Sequence, residues 1–241
     1  MILFKRYKLE KDMCDELASY ARNDKWIVYP EQGGWDLLLV RNSIQVGIQA
    51  KLRPNIKLLS QSIVPEEYDG PHYRAIAVGN LTQAERIDIT KITKELRLVF
   101  IDMSIHPTYW LYNSLSVAPI RHYRHFPKKP LWIPPFVPDL PAGVPSPKNV
   151  SPWKVSAVKL EIIAMNKGWV SIIDARDVVN QEVPEKSQGS YPRTLLKTYF
   201  TCTNERDPRK PRCKKWVLKH RSRPSKLCPE VFDVLSRRTN D

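Results

Sequence analysis

GGWDLLLVRNSIQVGIQAKL, residues 33–52, is the stretch on which the fold turns. WDLLLV reads as a buried strand. SIQVGIQAKL alternates apolar and polar residues with period two, as a strand with one solvated face does. Only Asn42 and Ser43 separate them, which predicts an antiparallel hairpin with a two-residue turn. Opposed residues in such a hairpin keep a constant index sum, so Arg41 faces Ile44, Val40 faces Gln45, Leu38 faces Gly47 and Asp36 faces Gln49. Opposed side chains share a face with β-carbons about 5 Å apart, and the pleat returns Lys51 to the face of Gln49. A carboxylate, an amide oxygen and an ammonium are therefore expected to converge. Ile44, Val46, Ile48, Ala50 and Leu52 take the opposite face, toward a core, and a slip of one residue would undo the arrangement.

These residue types suit phosphodiester cleavage, which needs a nucleophilic water and stabilisation of charge on the phosphate and the leaving oxygen; a divalent metal can serve all of these. Mg²⁺ keeps several waters and takes one or two carboxylates. Asp36 is the expected bridging ligand, Gln49 a neutral oxygen ligand or an orienter of bound water, and Ala50 a backbone carbonyl ligand. Lys51 either orients or deprotonates the attacking water or, charged, stabilises the developing negative charge. A second carboxylate is wanted. The same letters also occur on an ordinary solvated strand face and at a strand-start turn.

The pattern of an aspartate on one strand and Gln49-Ala50-Lys51 on the next resembles the PD-(D/E)xK nuclease superfamily, in the Gln-x-Lys form of Mrr-type restriction endonucleases and transposon endonuclease subunits. The resemblance covers about the first hundred residues. It implies a restriction-endonuclease-like αβββαβ core, Mg²⁺ or Mn²⁺ as cofactor, and a glutamate on the helix before the first strand. Glu16 stands at the right distance, on a helical pattern of Leu9, Met13, Leu17 and Tyr20; Asp15 and Glu31 are its rivals for catalysis and metal binding. After the hairpin, PNIKLLSQSIV reads as a helix, HYRAIAVG as a strand, TQAERIDITKITKELR as a helix and LRLVFIDMS as a strand. That is the element order the superfamily implies.

The chain has 241 residues and a formal charge of +14, which favours an anionic partner. No apolar run reaches the eighteen or so residues that span a bilayer, and the apolar part of MILFKRYKLEKD is too short for a signal peptide. An intracellular, cytoplasmic, DNA-associated protein is expected. Residues 126–152 carry nine prolines, which predicts a semi-rigid linker or a strap held by Leu131, Trp132 and Phe136. The expected division is thus a nuclease-like domain over 1–125, the proline-rich segment, and a second domain over 153–241.

In that second domain WKVSAVKLEIIAMNKGW predicts a helix on Val155, Val158, Ile162 and Met165 that stops near Gly168. SIIDARDVV opens a second helix and YPRTLLKTYFT a third. KKWVLKH then reads as a strand, RSRPSK as a basic turn, and LCPEVFDVL closes the chain. Together these predict a small α+β winged helix-turn-helix. Residues 151–241 hold nineteen Lys and Arg against ten Asp and Glu, so +9 of the charge lies there. Arg193 and Lys197 share a face of the third helix, as in a helix seated in a major groove. Arg209, Lys210, Arg212, Lys214 and Lys215 before the wing strand, and Lys219, Arg221 and Arg223 after it, are expected to neutralise phosphates. A solvated basic loop would carry similar letters. Cys202, Cys213, His220 and Cys228 could ligate zinc, but with no close CxxC pair the four cysteines, Cys14 included, read as reduced thiols. The expectation is a metal-dependent endonuclease acting on double-stranded DNA, as a homodimer or beside a second nuclease or transposase subunit. The alternatives are a catalytically inactive DNA-binding regulator or assembly factor, and an RNA-binding factor, which the Asp36 constellation does not suit.

Overall fold

The computed structural model describes residues 7–65, 67–104, 124–134, 136–137, 150–182, 191–219, 223–227 and 229–238. The chain divides into two compact units, one running to Ile133 and the other taking in 134–138 and the chain from Val150 onward.

The first unit runs α1 (Glu10–Asn23), β1 (Ile27–Gln32), β2 (Trp35–Arg41), β3 (Ile44–Lys51), α2 (Ile56–Ser62), β4 (Tyr73–Val78), α3 (Gln83–Glu95) and β5 (Val99–Asp102). Its mixed sheet has five strands in the order β1-β2-β3-β4-β5. The first three form an antiparallel meander, and β4 and β5 run parallel to β3. Between β2 and β3 the pairs are Arg41 with Ile44, Val40 with Gln45 and Leu38 with Gly47, the register counted above. Asn42 and Ser43 carry φ of 49° and 65°. Two left-handed residues in succession make a turn whose twist matches the strands, which is why so short a connection fixes the register. Gly47 is a steric requirement of the same hairpin, because a Cβ there would lie 2.4 Å from the Trp35 ring.

The sheet is covered on both faces. Met13, Cys14, Leu17, Ala18 and Ala21 of α1 pack over Leu37, Leu39, Val46, Ile48 and Ala50. On the other face Leu58 and Ile89, from α2 and α3, pack on Ile76, Val78 and Phe100. The β1–β3 part of that face is closed by the proline-rich segment, whose Leu131 and Ile133 pack on Tyr29, Leu38 and Val40. Gln45 fixes this strap by donating to the Leu131 carbonyl at 2.8 Å and accepting from its N–H at 2.9 Å. The first unit therefore extends past residue 125, and the described part of the segment up to Ile133 is a strap, while Phe136 falls in the second unit.

The second unit runs α4 (Pro152–Lys167), β6 (Val170–Ser171), α5 (Ile172–Glu182), α6 (Tyr191–Tyr199), β7 (Phe200–Asp207), β8 (Lys210–Leu218), α7 (Pro224–Leu227) and α8 (Pro229–Arg238). Its sheet has the order β6-β8-β7. The Ser151 side chain accepts the Lys154 N–H to start α4, and Gly168, at φ 81°, ends it. Leu160, Val178, Val179, Leu195, Leu196 and Phe200 fill the core. Met165 departs from the expected stripe and is exposed in the last turn of α4. The strand pair also differs from expectation. KKWVLKH does not lead through RSRPSK into a partner strand; its partner, FTCTNERD, lies upstream, and the hairpin turn sits at Pro208 and Arg209. The closing segment is helical. The Ser225 N–H and hydroxyl donate to the buried Glu161 carboxylate at 2.6 and 2.8 Å, which ties α7 to α4.

Candidate active site and nucleic-acid interface

Asp36 is the second residue of β2, and Gln49, Ala50 and Lys51 close β3, so all four lie just beyond the point where the ladder between the two strands ends at Leu37 and Ile48. There the Asp36 side chain replaces the ladder: its Oδ2 accepts the Ala50 N–H at 2.7 Å. Burial pushes the Asp36 carboxyl above the usual carboxylate range; the Ala50 N–H and Lys51 pull it down, and Glu10 adds to the rise. The Gln49 amide is buried, and its nitrogen donates to the Gly34 carbonyl at 2.6 Å, with the oxygen at the other end of the group. Lys51 Nζ pairs with Glu10 Oε1 at 2.6 Å, both side chains about a quarter exposed.

The acid that α1 brings to Lys51 is thus Glu10 and not the expected Glu16. Glu16 lies beside Tyr7, whose phenol is pushed up by burial and by that carboxylate. Asp15 is exposed and paired with Lys11. Glu31 acts with Asp36 and Glu10 on the buried Cys14 thiol, which burial pushes well up. The helix explains the difference. Glu10 lies four residues before Cys14 and seven before Leu17, on the stripe that faces the sheet, whereas Glu16 lies off it.

Among the described residues no group of three or more His, Cys, Asp or Glu could hold a metal. By chemistry, the carboxylates of Asp36 and Glu10 and the neutral oxygens of Gln49 and Ala50 are hard donors of the kind Mg²⁺ takes beside several waters, not the Cys and His set of a structural zinc site.

The second unit gathers six of its cations around one groove. Arg193 and Lys197 of α6, Lys210, Arg212 and Lys214 of β8 and Arg176 of α5 line an open depression of about 500 Å³ floored by Leu196 and Trp216, with Cys202 and Cys213 at its wall. Among the described residues no carboxylate lines it. Arg176 is the residue that sequence reading missed; it follows Asp174 and Ala175, buried positions that fix its own face outward. Three expected phosphate contacts are committed elsewhere. Arg209 turns inward to Asp174 at 2.9 Å and Asp207 at 3.0 Å. Lys215 pairs with Glu205 at 3.0 Å and lies over the Trp169 ring. Lys219 donates to the Lys197 and Thr198 carbonyls at 2.6 and 3.2 Å, capping the end of α6. Arg223 is half-buried, and Arg221, His220 and Cys228 lie outside the described residues. No described helix is long and apolar enough to cross a membrane.

No protein-family model, curated protein or solved structure matches this chain.

Proposed function

We infer that the chain is a metal-dependent DNA endonuclease with a PD-(D/E)xK-type core and a winged-helix reader. The observation that carries the reading is the meeting of Asp36, Gln49 and Lys51 at one end of the β2–β3 hairpin, with Glu10 as the second carboxylate. A bound Mg²⁺ or Mn²⁺ supplies charge neutralisation and a more acidic water. Asp36, held by the Ala50 N–H, and Glu10 would be its acidic ligands, and Gln49 and the Ala50 carbonyl its neutral ones. The ion pair with Glu10 aims the Lys51 ammonium and suits it to stabilising charge on the phosphate. The order α4, β6, α5, α6, β7, β8 supports the winged helix, with α6 as the groove-seated helix and the β7–β8 hairpin as the wing.

Plasmid incubated with the purified protein tests this. Cleavage is expected with Mg²⁺ or Mn²⁺, none with a chelator, and none by Asp36→Ala or Lys51→Ala; equal cleavage by wild type and Asp36→Ala would sink the site. A second reading, a DNA-binding regulator on a nuclease-like core, is favoured by the engagement of Lys51 with Glu10 and of the Gln49 amide with the Gly34 carbonyl, and by the lack of a third acid grouped with these among the described residues. Duplex binding with no cleavage under either metal would select it.

A further inference from the structure

The turn end of the β2–β3 hairpin, the end opposite Asp36 and Lys51, holds a second set of donors. Asn42, Ser43, Ile44, His72, Tyr73 and Arg124 line a cavity of about 250 Å³, large enough for a tetrahedral oxyanion with water. Among the described residues no carboxylate lines it, and Arg124, itself exposed, is its one formal charge.

His72 is the informative member. The Gln45 N–H donates to its Nδ1 at 3.1 Å. A ring nitrogen that accepts a hydrogen bond carries no proton, so neutral His72 holds its proton on Nε2. A second proton would have to land on the nitrogen that the Gln45 N–H already occupies. Burial and then Arg124 hold the pKa of His72 below its usual value, in keeping with this. His72 is therefore a neutral ring with one donor fixed in place, beside a forked cation. The left-handed turn brings two further polar residues, Asn42 and Ser43, to the same cavity. A guanidinium fork with a separate ring N–H and hydroxyl around one cavity offers more donors than the two oxygens of a carboxylate take in a single fork, and suits a phosphate, which presents three or more oxygens.

We propose that this cavity binds a phosphate group, with the Arg124 fork on two of its oxygens and the His72 Nε2–H on a third. The phosphate can belong to a nucleic-acid strand or be free in solution. The inference is separate from the nuclease reading, since a cleavage-dead Asp36→Ala protein keeps every group named.

The test follows the His72 ring by NMR while the full-length protein is titrated with inorganic phosphate at constant ionic strength in chloride. A saturable shift of the ring signals is expected, with the pKa of His72 rising as the anion's charge arrives. Arg124→Gln should weaken this binding about tenfold or more, with an unchanged melting temperature in phosphate-free buffer; Ser43→Ala, smaller in effect, serves if Arg124→Gln is poorly behaved. A duplex oligonucleotide then separates the sources. If it moves the same signals, and Arg124→Gln lowers the log–log salt slope of duplex binding by about one, the phosphate is a strand's. If only inorganic phosphate moves them, the ligand is a free anion. Signals unmoved by both probes, or the same titration in Arg124→Gln as in wild type, would overturn the proposal.

Discussion

Asp36 is held where a carboxylate is least comfortable charged, and that discomfort can be measured. Burial and Glu10 make the folded protein hold its proton more tightly than the unfolded chain does. Stability therefore falls as pH rises from the ordinary aspartate value, about 3.9, through the raised one, and the cost stays constant above it. Asp36→Asn removes the ionisation but keeps an oxygen for the Ala50 N–H. It should melt higher than wild type at pH 7 and no higher at low pH, while cleavage is lost; a lower melting temperature at pH 7 would mean that the charged hydrogen bond outweighs burial. Glu10 gives a second test. Glu10→Gln should cut cleavage by a factor on the order of a hundred, as loss of one aligned charge does, whereas Glu16→Gln should leave it within a few-fold. Most of this was legible. Asn42 and Ser43 between two apolar patterns fix the index sum, and the index sum fixes which residues meet. The spacing of the resembled superfamily points to Glu16 and passes over Glu10; the signal that marks Glu10 is its place on the Cys14 and Leu17 stripe.

Among the elements, the β7–β8 hairpin shows where pattern reading stops. β7, FTCTNERD, is buried only at its two ends, Phe200 and Asp207, so it offers no alternation to read. What holds it is the ladder to β8 and a charged knot at the turn, and neither leaves a periodic trace in sequence. In that knot Arg209 bridges Asp207 and Asp174, and Ser171 donates from its N–H to Asp174 at 2.8 Å. Hydrogen bonds from Arg209 hold the Asp207 carboxyl well below the usual carboxylate range. A depressed acid contributes stability that is present above its unfolded value and lost as pH falls through the folded one. Asp207→Asn should accordingly lower the melting temperature of this unit at pH 7, and the gap to wild type should narrow below about pH 4, the unfolded value. A constant gap across that range would mean that the knot acts through shape and not charge. The basic letters of this hairpin looked uniform in sequence; in the fold Arg209, Lys215 and Lys219 are structural, and Lys210, Arg212 and Lys214 face the groove.

For the whole molecule the question is which charges hold an anionic polymer. Of the formal +14, +9 lies in residues 151–241, leaving +5 for the rest, and in the second unit the described lining of the groove holds six cations and no acid. If duplex DNA seats on α6, each phosphate contact released there should remove nearly one unit of log–log salt slope. Arg193→Glu with Lys197→Glu should therefore weaken binding strongly and flatten the slope by roughly two units. Three controls make the assignment specific. Arg209→Ala should shift the unfolding of the second unit and leave the slope alone, because its guanidinium is spent on Asp174 and Asp207. Asp36→Ala, measured without metal, should leave both affinity and slope near wild type. Arg212→Glu with Lys214→Glu, on the hairpin side of the groove, should reproduce the loss seen for α6. Should the α6 pair leave the slope intact while the total charge change of +14 to +10 alone weakens binding, the attraction is a property of net charge and the groove is not the docking surface.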